Sequence, residues 1–250
     1  MINIKDNLDK IKAQIQDDCK SNNRLNTAVN NNAQIPVSLL AVSKTKPISL
    51  IEQAYQAGQK DFGENYLQEA IEKIAQLSHL PNLCWHFIGP IQSNKTKQIA
   101  NNFHWVHTLD REKIALRLNQ HLLEMAQEND DNNEHDKNQD TLLNVCLQVN
   151  ISDENSKSGL KAEQVFNLAE TVNNCDKLIL RGLMAIPEKN AAPERYQQLQ
   201  QLFIKLKEQY SSVDTLSLGM SNDLTIAIKH GSTMVRIGTD IFGKRDLTKK

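Results

Sequence analysis

The sequence predicts an α/β fold, a (β/α)8 TIM barrel, and three observations carry that prediction. Apolar runs rich in β-branched residues alternate with amphipathic helical patterns along most of the chain. There are about eight such strand–helix units, the number that closes a barrel of parallel strands. The length, 250 residues, is the usual size of one such barrel. The rival is an open doubly wound sheet. That fold would carry a glycine fingerprint after its first strand, where this chain reads Ser43-Lys44-Thr45-Lys46-Pro47 instead.

The elements follow in order. Ile4, Leu8, Ile11 and Ile15 recur at helical spacing, so the chain opens with an amphipathic helix that packs one stripe on the rest of the molecule. An Asn-rich connector follows, and helix and connector together occupy residues 1–36. Strands are expected at Val37–Ser43, Lys60–Gly63, Cys84–Gly89, Trp105–Leu109, Leu142–Ile151, Leu178–Ile186, Thr215–Leu218 and Met234–Gly238. Between them lie helical patterns. One spans Ile48–Tyr55 and is ended by Gly58 as a C′ residue. Others span Tyr66–Leu77, Arg111–Ala126 with Asp110 as N-cap, Val165–Val172, Tyr196–Tyr210 and Leu224–Lys229. Gln92-Ser93-Asn94-Lys95 starts a further helix and borders the expected mouth. Residues 127–141 are polar, charged and without periodicity, which reads as a disordered surface insertion. Its acids and His135 fit no ordered metal-ligand spacing. No other boundary interrupts the chain, so residues 1–250 are expected to form a single domain.

Composition narrows the partners. The net charge is −1 and aromatics make up 5% of the chain, which offers neither a basic footprint nor a stacking platform for nucleic acid. No apolar run approaches the roughly 20 residues that span a bilayer, and the first residues lack the pattern of a secretory leader. A cytoplasmic protein with no membrane partner is expected. Cys19, Cys84, Cys146 and Cys175 are scattered without a CxxC pair, so reduced buried thiols are expected and no metal site.

The candidate chemistry lies at strand ends, where barrels place their sites. Lys44 sits at the end of the first strand and can form an imine with an aldehyde. Attack requires the neutral amine, which burial beside another cation would supply. Lys46 is the competitor, but it precedes Pro47 and lies beyond the strand. Gly219-Met220-Ser221-Asn222-Asp223 and Gly238-Thr239 follow the last two strands, the loops that hold phosphate in many barrels. Ser221, Gly238 and Thr239 are the candidate donors there. Arg236 has the parity of a barrel-interior residue. It can face the ring nitrogen of a pyridine cofactor and keep that nitrogen unprotonated, or it can form a structural ion pair. Asn65 can hydrogen-bond a ring oxygen. His86 reads either as a general acid–base or as a core histidine flanked by aromatics. Met184-Ala185-Ile186-Pro187 reads as cavity wall.

Several motifs carry a resemblance. They are Ala41-Val42-Ser43-Lys44-Thr45-Lys46-Pro47, Phe62-Gly63-Glu64-Asn65-Tyr66, Trp85-His86-Phe87-Ile88-Gly89-Pro90-Ile91-Gln92-Ser93-Asn94-Lys95, Ser158-Gly159, Arg181-Gly182-Leu183-Met184, Gly219-Met220-Ser221 and Val235-Arg236-Ile237-Gly238-Thr239. Occurring in order between about Val37 and Asp246, they resemble the pyridoxal phosphate homeostasis proteins, the YggS/PROSC family. The resemblance implies the barrel of the alanine racemase N-terminal-domain type, with pyridoxal 5'-phosphate as cofactor. It implies Lys44 as the imine lysine, Ser221, Gly238 and Thr239 at the phosphate, Arg236 at the ring nitrogen and Asn65 near the ring. It also implies a role in vitamin B6 balance without an established catalytic activity. The Asn-rich connector and the acidic insertion depart from the family pattern, and both fall away from the expected mouth.

Two functions are then weighed. One is a non-catalytic protein that holds the cofactor, buffers the free aldehyde and passes it to enzymes that use it. The other is an amino-acid racemase on the same scaffold. Racemases of this fold draw a second base, a tyrosine, from a C-terminal β domain, and the chain as given ends at Lys250, so the first function is expected. Loss of that domain's contacts also leads to the expectation of a monomer. A lysine-imine aldolase is a more distant third reading.

Overall fold

Eight parallel strands close into a barrel in strict chain order in the computed structural model, which describes residues 3–22, 37–131, 142–152 and 158–244. The strands are β1 (Ser38–Val42), β2 (Asp61–Glu64), β3 (Cys84–Phe87), β4 (Trp105–Leu109), β5 (Leu143–Val149), β6 (Leu178–Ala185), β7 (Thr215–Ser217) and β8 (Met234–Ile237). Seven lie within their expected runs, most of them trimmed by a residue or more, and β2 is shifted one residue along to include Glu64. Most of the trimmed residues turn into the loops of the mouth, such as Ser43 and Gly238. Helices α1 (Ile4–Ser21), α2 (Ile48–Gln56), α3 (Leu67–Gln76), α4 (Thr96–Asn102), α5 (Glu112–Asp131), α6 (Val165–Asn173), α7 (Pro193–Gln209), α8 (Leu224–Lys229) and α9 (Thr239–Phe242) complete the described secondary structure with two short 3₁₀ turns.

Two layers of side chains explain why the alternation folds this way. Outward-facing residues such as Leu39, Ala41, Phe62, Val106, Leu183 and Val235 join the helices in one apolar cluster. Inward-facing Leu40, Cys146 and Met184 are equally buried but stand apart from that cluster, inside the barrel. The interior is polar as well: His86, His107, Ser217 and Arg236 are all buried. Such groups are tolerated only when hydrogen-bonded, and all four are.

Closure matters most for function. β1 pairs with β8 through Ser38↔Met234, Leu39↔Val235, Leu40↔Arg236 and Ala41↔Ile237. Extending that register sets the end of β1 beside Gly238, where an added Cβ would lie 3.1 Å from the Val42 carbonyl oxygen. Segments at opposite ends of the chain thereby share one rim of the mouth.

Outside the barrel, α1 lays Ile4, Leu8, Ile11, Ile15 and Cys19 against α2, α8 and α9, as its spacing predicts. The Asn3 side chain caps it by accepting the Asp6 amide. Gly58 follows α2 with φ +88°, the left-handed C′ conformation. Helix α5 runs on to Asp131, into the segment expected to be disordered. Gln127 and Glu128 are good helix formers, and they extend the periodic part of the helix beyond its apolar stripe. Residues 132–141, with His135, and the connector from 23 to 36 lie outside the described residues. Helix α9 has no apolar periodicity long enough to be read from sequence. None of the four cysteines, all among the described residues, forms a disulfide. Among the described residues, no helix is long and apolar enough to cross a membrane.

Candidate functional site

Lys44, Asn65, Ser221, Arg236, Gly238 and Thr239 line one cavity of about 290 Å³ at the C-terminal mouth of the barrel. They come from the ends of β1, β2, β7 and β8, and they are the six residues expected from sequence at the cofactor. Val42, Ile88, Met184 and Ile186 supply apolar wall, as expected for the last two. Lys46, Met220, Asn222 and Gly243 complete the lining. The volume is at the small end of cofactor pockets, which begin near about 300 Å³.

Lys44 is half-buried and sits in a tightly held turn. Thr45 adopts φ +63°, an uncommon left-handed conformation for a β-branched residue. Its amide donates to Glu69 Oε1 at 2.6 Å. The Ser43 carbonyl accepts from Lys73 Nζ at 2.9 Å, and the Ser43 hydroxyl donates to Glu64 Oε1 at 2.6 Å. Lys73 Nζ also bridges Glu64 and Glu69 at 2.8 and 2.5 Å. Burial pushes the Glu64 carboxyl upward, against the pull of Lys73. This buried ion cluster fixes the residues on both sides of Lys44. Sequence reasoning missed it, because Lys73 reads as one more charge on an amphipathic helix.

Lys46 has a second task. Its Nζ donates to the carbonyls of Phe242, Gly243 and Lys244 at 3.1, 2.8 and 2.9 Å, the pattern of a cation closing the end of a helix. It holds α9 and the Gly238–Thr239 turn against the β1 loop.

The loop after β7 turns at Gly219, where φ is +100° and an added Cβ would lie 2.6 Å from the Ala227 Cβ. Asp223 organises the loop: Oδ1 accepts the Met220 amide at 2.6 Å and Oδ2 accepts the Tyr196 hydroxyl at 3.0 Å. Burial, reinforced by the Asp223 charge, raises the Tyr196 phenol and keeps it a donor. The Arg236 amide donates to the Gly219 carbonyl at 3.0 Å, which ties the two loops together.

Arg236 is buried, and its partners are not the carboxylate of a structural ion pair. Nη1 donates to the Ser217 carbonyl and hydroxyl oxygens at 2.7 and 2.8 Å, and Nη2 donates to the Ala185 carbonyl at 2.9 Å. Burial lowers its pKa to about 10, so it remains charged at neutral pH. His86 does not line the cavity. It is wholly buried below the mouth, with Nδ1 2.9 Å from His107 Nε2 and its ring stacked on Trp105. That is the core-histidine reading, not the acid–base one. Gln92–Lys95 also lie off the cavity lining. At the opposite end of the barrel, ligand atoms of Asp61, Cys84 and His86 approach within 4.8 Å of one another.

The donor set fits a small phosphorylated aldehyde. A primary amine, two further cations and a rim of hydroxyl and amide donors face one apolar-walled space. Comparisons with known proteins agree. The sequence matches the family described as "Alanine racemase, N-terminal domain" over residues 22–246. It is 49% identical over 252 residues to the pyridoxal phosphate homeostasis protein of Haemophilus influenzae, covering 98% of this chain and 97% of the relative. It is equally 49% identical over 221 residues to the protein of that name from Escherichia coli, covering 86% and 88%. PipY of Synechococcus elongatus, solved with PLP bound, superposes with TM-score 0.72 at 31% identity, covering 89% of this chain and 99% of that one. Alanine racemase of Corynebacterium glutamicum shares the fold, with TM-score 0.60 at 16% identity over 94% of this chain and 63% of its own. Near-complete coverage at almost half identity, on a barrel whose mouth gathers those six residues, places the chain in the pyridoxal phosphate homeostasis protein family.

Proposed function

We propose that this chain binds pyridoxal 5'-phosphate in the mouth cavity, holds it as an imine on Lys44, and serves vitamin B6 homeostasis in the cytoplasm rather than catalysing a reaction. The observation that supports this best is the convergence of Lys44 with Ser221, Gly238 and Thr239 in one cavity, across nearly the whole chain. In this reading Ser221, Gly238 and Thr239 hold the phosphate, Arg236 faces the ring nitrogen and Asn65 a ring oxygen. Lys46 and Arg236 add positive charge to a cavity that receives an anionic ligand.

When bound, the cofactor supplies an aldehyde for the imine and a ring that can act as an electron sink. Arg236 limits the second property. A guanidinium only donates, so a ring nitrogen facing it stays unprotonated and withdraws electrons weakly. The chain's own residues therefore favour holding over carbanion chemistry. The relatives are likewise named for homeostasis and not for a reaction. Recipients would be enzymes that use the same cofactor, met by a monomeric carrier.

Purified protein mixed with pyridoxal phosphate should turn yellow, and Lys44→Ala should remove the imine band while leaving the far-UV circular dichroism unchanged. A wild-type protein that stays colourless and takes up no aldehyde contradicts the binding reading. Incubation with L-alanine in deuterated water should give little α-proton exchange. Rapid exchange would transfer the proposal to the racemase.

A further inference from the structure

Five polar groups link the floor of the barrel to its mouth. Asp61 opens β2 at the floor, and its Oδ1 lies 3.2 Å from His86 Nε2. His86 Nδ1 lies 2.9 Å from His107 Nε2, and His107 Nδ1 lies 3.0 Å from the Ser217 hydroxyl. That hydroxyl accepts from Arg236 Nη1 at 2.8 Å. His86, His107 and Ser217 are wholly buried, so each group must be satisfied by this chain of contacts.

The two ends dictate the direction of every bond. A guanidinium has donors only and a carboxylate has acceptors only. Because Ser217 Oγ accepts from Arg236, its single proton goes to His107 Nδ1. His107 then carries its own proton on Nε2 and gives it to His86 Nδ1. His86 in turn carries its proton on Nε2 and gives it to Asp61. Every donor and acceptor is used once. The opposite direction would aim both Arg236 and His107 at the Ser217 oxygen and leave the serine proton without a partner in this chain, a costly arrangement in a buried place. Burial lowers the pKa of both histidines, which agrees with two neutral rings. The Cys84 sulfur lies 3.3 Å from His86 Nε2, but burial and the Asp61 charge push that thiol up to about 12, so it stays neutral too.

We infer that Asp61, His86, His107 and Ser217 form a hydrogen-bond relay of fixed direction through the barrel core that orients Arg236 toward the mouth cavity, making them positioning residues for the cofactor's ring nitrogen. The relay and the Ala185 carbonyl engage Nη1 and one hydrogen of Nη2. They leave the other Nη2 hydrogen and Nε without a protein acceptor among the described residues, on a side chain that lines the cavity. The relay needs no cofactor; only its effect at the ring nitrogen rests on the function proposed above.

The test uses full-length protein labelled with ¹⁵N-histidine, with the two resonances assigned from His86→Gln and His107→Gln. In the cofactor-free protein at neutral pH, both rings should be neutral, protonated at Nε2 and bare at Nδ1. Asp61→Asn keeps an acceptor and should preserve that pattern. Asp61→Leu removes it while Arg236 still fixes the far end, so both rings should keep their proton on Nε2 and the His86 Nε2 resonance should lose its hydrogen-bonded shift; the Asp61 side chain is 40% exposed, so this change should leave the fold intact. With pyridoxal phosphate, Asp61→Leu and Ser217→Ala should each weaken binding roughly 3- to 10-fold, as for loss of one ordinary hydrogen bond, with Asp61→Asn near wild type. A charged ring, an Nδ1 proton in the wild type, or a His86 Nε2 resonance unmoved in Asp61→Leu would overturn the relay. A shifted His86 resonance with affinity unchanged in both Asp61→Leu and Ser217→Ala would overturn its positioning role. If no variant, wild type included, takes up the cofactor, the proposed function fails while the histidine spectra still decide the relay.

Discussion

At the scale of single residues, the turn that carries Lys44 depends on a lysine two elements away. Lys73 and Glu64 have side chains 6% and 0% exposed, so they form a buried pair whose worth shows only when one partner is lost. Glu64 Oε2 already lacks a hydrogen-bond partner among the described residues, so Lys73→Met would leave the buried carboxylate only the Ser43 hydroxyl. The expected cost is about 3 kcal/mol, read by urea denaturation. The double change with Glu64→Leu should recover much of it. Histidines give the pH dependence. Burial holds His86 and His107 below the ordinary value of 6.5, so the unfolded chain takes up protons that the folded one refuses. Their contribution is complete above that value and falls as the pH drops through it, by up to about 1.4 kcal/mol per pH unit for each ring. Thermal melts at pH 7.5 and 5.5 should differ by several degrees in favour of the higher pH, and His107→Gln should reduce that difference.

At the scale of elements, the critical positions are those where the backbone approaches another strand. Gly182 on β6 has φ +146°, and an added Cβ would lie 1.9 Å from the Thr215 carbonyl oxygen of β7. Gly182→Ala therefore forces β6 and β7 apart, and because β7 carries Ser217 and leads into the Ser221 loop, the damage reaches the mouth. We expect a loss of at least ~3 kcal/mol together with weakened cofactor binding. Helix α1 is the contrasting case. Leu8 is fully buried and is not among the residues that line the cavity. Leu8→Ala should cost about 2–5 kcal/mol in chemical denaturation and leave the affinity of the folded protein for pyridoxal phosphate unchanged.

At the scale of the whole molecule, the fold was legible because each unit announces itself locally. Val37–Ser43 and Met234–Gly238 read as strands from their own residues, and Ile4, Leu8, Ile11 and Ile15 as one helix face. The cavity residues were legible because barrels place function at strand ends, which singles out Lys44, Ser221 and Gly238 before any contact is known. What stayed hidden depends on pairs that only closure creates. His107 and Ser217 lie 110 positions apart, and neither is unusual within its own strand. Lys73 looks like any charged residue on α3, because its burial follows from how that helix leans on the β1 turn. Lys46 looked like a spare amine until α9 presented three carbonyls to it. A closed barrel would also make a ligand in the mouth cavity a global clamp, since the cavity is lined by loops from both ends of the chain. Saturating pyridoxal phosphate at about 100 times its dissociation constant should stabilise the protein by about 2.7 kcal/mol and raise its Tm. The covalent link is the centre of the account, and borohydride reduction of the loaded protein followed by peptide mass mapping tests it directly. A stable pyridoxyl adduct on Lys44, absent from Lys44→Ala, is the predicted result; an adduct on Lys46 instead, or no adduct on a loaded protein, would contradict it.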